Sequence, residues 1–441
     1  MATENKITCA NLLNHVYTGT QNERRLCCHS YPAVSTGKKV SNKEWWNSEE
    51  MKGLRKMMID GEPLPNCKEC YYREESGYHS LRNHVNERAD VSALLEQVDD
   101  DGHMNLEPTF YEHKSFHCNL QCQTCTPQLS STWAKLENKM YGERWKITPD
   151  SEYEDLLAEE MVQGLKEKRI TRLNWSGGEP MMMKMHWRII DKMTELLKDP
   201  EYTDYIKSIY MMYNTNMTHS LHKGKDIWEI LSPFNCEIRT SMDGVGKTFE
   251  MVRDGAEWES TWENWKRMAE HDFQITVNSV FTFPVLLTLE ERHKIYVNYD
   301  VEFYDWLYRS VPERYPTYGH GMVDMCLWPQ HIFDRVVDKA EESLKKYAYD
   351  GHEHGLEILH VLRKEKKAKP HIWEDPVILG KMKGMTQYRD NYQQRVKFHD
   401  WLEEHDQEAY EWYQSIKALP YDKNENPMPS FDIVEKSEGI A

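Results

Sequence analysis

Cys118-Asn119-Leu120-Gln121-Cys122-Gln123-Thr124-Cys125 packs three cysteines into eight residues, directly behind the strand-like run Thr109–Phe116. Structural zinc prefers four closed ligands, commonly supplied as two separated pairs. Three thiolates this close together suit another task, holding three irons of a four-iron, four-sulfur cluster and leaving the fourth iron open. Ordinary electron-transfer clusters are closed by four cysteines, so a three-cysteine cradle invites a ligand from outside the chain. Zinc, or a fully ligated cluster, would need a distant fourth donor. A second motif follows at the next strand end, Asn174-Trp175-Ser176-Gly177-Gly178-Glu179-Pro180. Paired glycines let a backbone approach a ligand without side-chain collision, Glu179 offers a carboxylate to an ammonium, and Pro180 fixes the exit.

Outward from these motifs, short strand-like runs alternate with helical patterns. The strand candidates are Thr109–Phe116, Ile170–Trp175, Ile206–Tyr213, Glu237–Ser241, Gln274–Phe281 and Val301–Tyr308. The clearest helix is predicted over Thr148–Lys168, where Leu157, Met161 and Leu165 recur at i+4 behind Thr148-Pro149. Repeated β-then-α units predict an α/β fold with a parallel sheet, open or closed into a full or partial barrel. The first 106 residues read as a loop-rich, cysteine-bearing unit with one amphipathic helix near Ser48–Ile59, closed by the acidic connector Asp99-Asp100-Asp101-Gly102. The tail is mostly helical, and Phe398, Leu402, Ala409, Tyr413 and Ile416 form one apolar stripe on a charged helix.

Lys plus Arg total 55 and Asp plus Glu 73, a formal net charge of −18. That balance opposes non-specific attraction to nucleic acid or an anionic membrane. No apolar run approaches the ~20 residues of a membrane span, and Met1-Ala2-Thr3-Glu4-Asn5-Lys6 lacks the layout of a secretory signal. The expectation is a cytoplasmic protein without membrane or nucleic-acid partners. In a reducing compartment its 10 cysteines point to metal rather than to disulfides, with Cys236 and Cys326 standing apart as small core residues.

The two strand-end motifs together resemble the radical S-adenosylmethionine superfamily. The resemblance covers residues 107–310 and implies a partial (β/α)6 barrel. It makes Cys118, Cys122 and Cys125 ligands of a four-iron, four-sulfur cluster, with S-adenosylmethionine on the open iron. Gly177, Gly178 and Glu179 would line its methionyl amine. Asn214-Thr215-Asn216, Arg239-Thr240-Ser241-Met242-Asp243-Gly244 and Arg253 with Gly255 match later family elements. By that match Asn216 and Ser241 would contact ribose or carboxylate, Arg253 would pair with the methionyl carboxylate, and Asn278–Phe281 would meet the adenine through backbone groups. Thr124 departs from the pattern, since the family usually has an aromatic residue there; the change bears on adenine packing and removes no ligand.

Leu26-Cys27-Cys28-His29 and Cys67-Lys68-Glu69-Cys70 form a second constellation, followed by Glu74, Gly77, Ser80 and Arg82. On spacing alone, zinc is an open alternative. The pattern also resembles the twitch and SPASM modules of radical S-adenosylmethionine proteins, which carry an auxiliary iron–sulfur cluster, although here it precedes the core. Its implied ligands are Cys67, Cys70 and one or both of Cys27 and Cys28, with Cys9 as a further candidate. The implied organisation is a twitch-like module (1–106), a radical core (107–310) and a helical C-terminal extension (311–441). The implied function is reductive cleavage of S-adenosylmethionine to a 5′-deoxyadenosyl radical that abstracts hydrogen from a peptide, a protein or a small molecule. An electron donor such as flavodoxin or ferredoxin would feed it. No catalytic side chain is legible. The alternative is a non-catalytic, zinc-stabilised binding protein with a degenerate barrel.

Overall fold

The computed structural model describes residues 7–20, 22–35, 39–75, 79–143, 145, 151–307, 321–349, 351–368 and 373–420. Its strands are β1 (His15–Thr18), β2 (Arg24–Arg25), β3 (Phe110–Ser115), β4 (Arg172–Gly177), β5 (Tyr210–Thr215), β6 (Leu221–His222), β7 (Lys225–Asp226), β8 (Asn235–Ser241), β9 (Gln274–Phe281) and β10 (Glu302–Leu307). All but the β6–β7 hairpin join one eight-stranded sheet in the order β10-β9-β8-β5-β4-β3-β1-β2. Neighbours from β10 to β1 are parallel, and β2 closes the row antiparallel to β1. The chain is α/β, as the alternating pattern predicts. Neither edge strand pairs with the other among the described residues.

Side chains alternate across a strand, so the register fixes two unlike faces. On one, Leu173 lies opposite Met211, Met211 opposite Cys236, and Ile238 opposite Ile275. Helices cover this face and bring their own apolar stripes to it. Leu157, Met161 and Leu165 of the helix Ser151–Lys166 are buried, as are Ile189, Ile190 and Met193 of Lys184–Leu196 and Trp265 and Met268 of Trp258–Met268. Cys236 belongs to this core, and Cys326 is buried in a second one. That second core is formed by helices from Gln330 onward around Phe281, Phe283 and Trp328, with Phe283 stacked on Trp328 at 3.9 Å. The other face of the sheet is polar.

Several expectations need correction. Ile206 lies in the helix Thr203–Ser208, and the strand begins only at Tyr210. Ile206 and Ile209 are both fully buried, so the apolar run crosses a helix–strand junction that periodicity over so few residues cannot locate. The apolar stripe of the tail lies on two helices, Phe398–His405 and Gln407–Ser415, divided where Asp406 caps the second by accepting from the Ala409 N–H. Thr148, Pro149, Gly77 and Tyr308 lie outside the described residues. The amphipathic helix expected near Ser48–Ile59 spans Glu49–Ile59 with Ser48 as its cap, but the N-terminal region also contributes β1 and β2 to the sheet. Four residues and two residues are too short to stand out as strands.

Arg24 of β2 ties that region down. Fully buried, it donates from Nη1 to Thr18 Oγ1 (2.5 Å) and Asn42 Oδ1 (2.9 Å), and from Nη2 to the Val40 carbonyl (2.7 Å) and the Tyr153 hydroxyl (2.8 Å). Tyr153 belongs to the helix Ser151–Lys166, so one side chain links the β1–β2 edge to a helix of the central sheet. Arg24→Ala removes a buried donor from four acceptors, of which the Val40 carbonyl keeps the Tyr153 hydroxyl, and should cost about 3 kcal/mol. Urea denaturation checks this; an unchanged midpoint would remove Arg24 from the framework.

Candidate functional site

The loop after β3 is held from two sides before any thiol is considered. Residues at the start of the helix Ser131–Tyr141 grip its carbonyls: Ser130 Oγ donates to Leu120 (2.8 Å), Thr132 Oγ1 to Cys118 (2.5 Å) and Trp133 Nε1 to Cys122 (3.0 Å). From the other side, the Gln121 and Gln123 N–H groups donate to the Asp254 and Val252 carbonyls at 2.9 and 2.7 Å. The fully buried Leu120 anchors the loop in the core.

Cys118 and Cys122 are buried, and Cys125 is partly so. Burial raises all three thiols, Cys125 to about 12; neighbouring thiolates add to the rise at Cys118 and Cys125, whereas at Cys122 the Arg253 guanidinium opposes it and the Asp243 carboxylate adds to it. Each of two sulfurs meets one N–H donor. Asn216 Nδ2 lies 3.8 Å from Cys118 Sγ, and Arg253 Nη1 lies 3.7 Å from Cys122 Sγ. Such a set holds thiolates only when a cation is added, because a bound metal deprotonates its thiols outright. The donor chemistry therefore fits a metal cluster. Among the described residues, no three His, Cys, Asp or Glu side chains are grouped for a single ion.

The Gly-Gly-Glu turn closes on this loop. A Cβ on Gly178 would sit 2.1 Å from the His117 carbonyl oxygen, and the Glu179 N–H donates to that same oxygen at 2.6 Å. The glycine is thus required by the approach of chain to chain. Gly177 has φ +106°, where side chains are strained. Glu179 is fully buried; it accepts from the Met181 N–H (3.1 Å), Thr215 Oγ1 (2.9 Å) and the Asn216 N–H (2.7 Å). Burial lifts its carboxyl to about 7 against those three bonds.

Arg253 reaches the site from behind β8. Its Nε and Nη2 each lie 2.8 Å from Asp243 Oδ2, while Asp243 Oδ1 accepts from the Val280 N–H (2.7 Å) and the Ser279 hydroxyl (3.2 Å). Burial opposes the charge on Arg253, but the Asp243 carboxylate outweighs it and holds the guanidinium protonated. Asn216 spends its amide on Cys118 Sγ and Asn119 Oδ1, and its Oδ1 on Thr218. Ser241 ends β8 beside Asn278 of β9, whose Oδ1 is buried without a partner.

Sequence reasoning gave no role to three residues of this site. Asp243 was legible only as an Asp-Gly turn, although it holds the arginine. Arg389, on the helix Pro376–Asp390, donates to the Gln123 carbonyl at 3.1 Å and lies over the Trp133 ring at 5.0 Å. Asp254 accepts from the Gln394 and Arg395 N–H groups, so the tail is bolted to the cysteine loop at two points. No local signal marks residues that meet only in the fold.

Cys9, Cys27, Cys67 and Cys70 line one cavity with Leu12, Leu26 and Arg82, whereas Cys28 is not in its lining. Burial raises these thiols, Cys9 to about 11 and Cys67 to about 12; neighbouring thiols add to the rise at Cys9, Cys27 and Cys67, and Glu74 adds to it at Cys70. Burial also raises Cys28, which feels Glu112 and Lys114 of β3 and, more weakly, Cys70. Glu74 pairs with Arg82 and accepts from Ser80, and Arg82 also donates to the Thr8 carbonyl at 3.2 Å beside Cys9. No described helix is long and apolar enough to cross a membrane.

No family model and no curated protein matches the sequence. Among solved structures the chain is similar to anSMEcpe with bound AdoMet, at 17% identity and a TM-score of 0.38 over 55% of this chain and 61% of that one. It is similar to Streptococcus suis SuiB bound to precursor peptide SuiA, at 16% identity and a TM-score of 0.33 over 62% and 58%. A third is TsrM from Kitasatospora setae, a radical S-adenosylmethionine methyltransferase, at 13% identity and a TM-score of 0.29 over 42% and 34%. The chain spans less than two thirds of the length of each.

Glu179 gives the site a pH signature. Its carboxyl rises from 4.5 to about 7 in the folded chain, so between those values the folded state keeps a proton that the unfolded state has released. Stability from this group is present below pH 4.5 and lost as pH rises through 7. Denaturant titrations of the metal-free chain should show wild type losing stability over that interval relative to Glu179→Gln. A pH-independent difference between the two proteins would contradict the burial of a titrating carboxyl.

Proposed function

We propose that the chain is a radical S-adenosylmethionine enzyme with a second, auxiliary iron–sulfur site. The observation that carries the reading is the convergence of a carboxyl and a guanidinium, both with hydrogen-bonding capacity left, on a three-thiol loop: Glu179 from the β4 turn and Arg253 from the segment after the helix Gly246–Val252. An ionised carboxylate has about four lone-pair sites and a guanidinium five N–H donors. Glu179 has three acceptor contacts and Arg253 three donor contacts within the chain. Glu179 keeps capacity for about one more donor and Arg253 for two more acceptor bonds, and together they suit the amino and carboxylate groups of one amino acid.

When bound, a four-iron, four-sulfur cluster with S-adenosylmethionine on its open iron would supply reductive carbon–sulfur cleavage and a 5′-deoxyadenosyl radical for hydrogen abstraction. Cys118, Cys122 and Cys125 would be its ligands. Asn216 keeps the loop in shape through Cys118 and Asn119, so its part is positioning rather than contact with the ribose. Arg253 adds a fixed positive charge beside Cys122, and Asp243 fixes its fork. Gly177, Gly178 and Ser241 line the same strand ends. In this reading residues 1–106 form the auxiliary module, 107–310 a partial (β/α)6 barrel, and 311–441 an extension that braces the loop through Arg389. The auxiliary ligands in this reading are Cys9, Cys27, Cys67 and Cys70, the four cysteines that line one cavity. The reading brings with it a cytoplasmic setting and an electron donor such as flavodoxin or ferredoxin, with a peptide, protein or small-molecule substrate.

Anaerobic reconstitution with iron and sulfide tests both sites. Wild type with reductant should form 5′-deoxyadenosine, and Cys118→Ser, Cys122→Ser and Cys125→Ser should each form none. Cys9→Ser and Cys67→Ser should lose the auxiliary complement of iron and sulfide, whereas Cys28→Ser should retain it. Bound zinc without sulfide in the wild type would favour the non-catalytic alternative and end this proposal.

A further inference from the structure

The three-cysteine loop is held on a third side by a residue 266 positions later in the chain. Gln123, between Cys122 and Cys125, is buried and pinned on both sides of its backbone. Its N–H donates to the Val252 carbonyl at 2.7 Å, and its carbonyl accepts from Arg389 Nη1 at 3.1 Å. The same guanidinium lies over the Trp133 ring at 5.0 Å, and Trp133 Nε1 donates to the Cys122 carbonyl at 3.0 Å. Arg389 therefore acts on two consecutive loop carbonyls, on one directly and on the other through the ring that holds it. Asn216 and Arg253 each bring an N–H donor to the sulfurs of Cys118 and Cys122. Cys125, the least buried of the three, has no such donor at its sulfur among the described residues.

The helix that carries Arg389, Pro376–Asp390, is fixed in the second core by contacts of its own. Lys383, buried on that helix, donates to the Tyr413, Gln414 and Ile416 carbonyls at 2.7, 3.3 and 2.9 Å and ties it to the end of Gln407–Ser415. Asp390 accepts from the Phe398 and His399 N–H groups at 2.8 and 3.2 Å, which folds the connection after Arg389 back on itself. That connection reaches the segment behind the loop: the Gln394 and Arg395 N–H groups donate to Asp254 Oδ1, and Gln393 Nε2 donates to the Met251 carbonyl at 3.2 Å. Donors of the extension thus converge both on the cysteine loop and on the stretch 251–254, whose carbonyls hold Gln121 and Gln123.

Charge adds a second effect. An arginine keeps its proton even when buried. Burial and the Cys122 thiolate raise the Cys125 thiol, and the guanidiniums of Arg253 and Arg389 oppose them. A reduced iron–sulfur cluster is more negative than an oxidised one, and charge around it is among the factors that set its potential. A fixed cation beside the loop therefore favours reduction. We propose that Arg389 is a positioning residue of the cluster site: it holds the Gln123 carbonyl and the Trp133 ring so that the Cys122–Cys125 turn keeps its shape, and its cation raises the reduction potential of the cluster bound there. The helical extension is by this inference part of the site. The inference rests on the radical-enzyme reading for the identity of the cluster only.

The test compares the full-length wild type with Arg389→Gln, Arg389→Lys and, as a control, Arg363→Gln, an arginine of the extension that pairs with Asp338 and Glu341. Hydrogen–deuterium exchange of the metal-free chains reads the loop. Redox titration followed by electron paramagnetic resonance, after anaerobic reconstitution with iron and sulfide, reads the potential. In Arg389→Gln the Gln121 and Gln123 amides should exchange about tenfold faster or more, and the midpoint potential should fall. Arg389→Lys keeps the charge and loses the fork, so its loop should also exchange faster while its potential stays at the wild-type value. Both should leave exchange in the helix Gln330–Tyr347 unchanged, and Arg363→Gln should match wild type in loop and potential. Where Arg389→Gln loosens the whole extension, Arg389→Lys decides on loop exchange alone. Three results would overturn the proposal: wild-type loop exchange in both Arg389 variants, faster exchange that spreads through Gln330–Tyr347 in both, or the same potential in Arg389→Gln as in wild type. 5′-Deoxyadenosine is measured in the same wild-type preparation. Its absence alongside Arg389-dependent loop exchange would remove only the radical reading; its presence alongside Arg389-independent loop exchange would remove only this inference.

Discussion

Asp243 accepts the Arg253 fork on one carboxylate oxygen and the Val280 N–H and Ser279 hydroxyl on the other, with no exposure to solvent. Through that carboxylate the end of β8, the strand β9 and the segment behind β8 share one anchor. Arg253 then extends the anchor to Cys122 Sγ. A buried charge pair is costly unless its remaining hydrogen-bonding capacity is filled. Here the carboxylate is filled by the chain, and the guanidinium is left with N–H groups to spare. The Gln121 and Gln123 bonds to the backbone of 252–254 make the cysteine loop depend on the same segment.

The sheet divides the labour. Its apolar face is sealed by helices whose stripes are fully buried, which supplies stability through ordinary burial. Its polar face carries Glu112, Lys114, Arg172, Glu237 and Arg239, with ion pairs Lys114–Glu112 and Arg239–Glu237. The two cysteine constellations lie at different places relative to this face: one at the strand ends, the other in the N-terminal region whose β1 extends the sheet beyond β3. Sites set on strand ends and braced by neighbouring elements hold their geometry better than sites on free loops.

The alternation of strand and helix was legible because the covering helices carry a clear 3.6-residue stripe, as Leu157, Met161 and Leu165 illustrate, between short strand-like runs. The strand limits moved where burial continued across a junction, as at Ile206 and Ile209. The thiol loop and the Gly-Gly-Glu turn were legible because their residues are close in sequence. What escaped was whatever depends on tertiary approach. Gly178 suggested room for a ligand, and its neighbour is the His117 carbonyl. Asn216 is expected to contact ribose or carboxylate; that its amide also meets Cys118 Sγ and Asn119 was not legible. Cys9 lines one cavity with Cys27, Cys67 and Cys70 from far away in sequence, while Cys28, adjacent to Cys27, is not in that lining. Arg389 could not be connected to Gln123 and Trp133 by any spacing rule.

The central claim is that three thiolates leave one iron open to an amino-acid zwitterion placed between Glu179 and Arg253. Electron paramagnetic resonance of the reconstituted, dithionite-reduced protein, recorded with and without S-adenosylmethionine, tests it most directly. The account predicts that adding S-adenosylmethionine changes the shape and g-values of the cluster signal, and that methionine amide, which lacks the carboxylate, leaves them unaltered. A reduced-cluster spectrum that is the same with and without S-adenosylmethionine would contradict it.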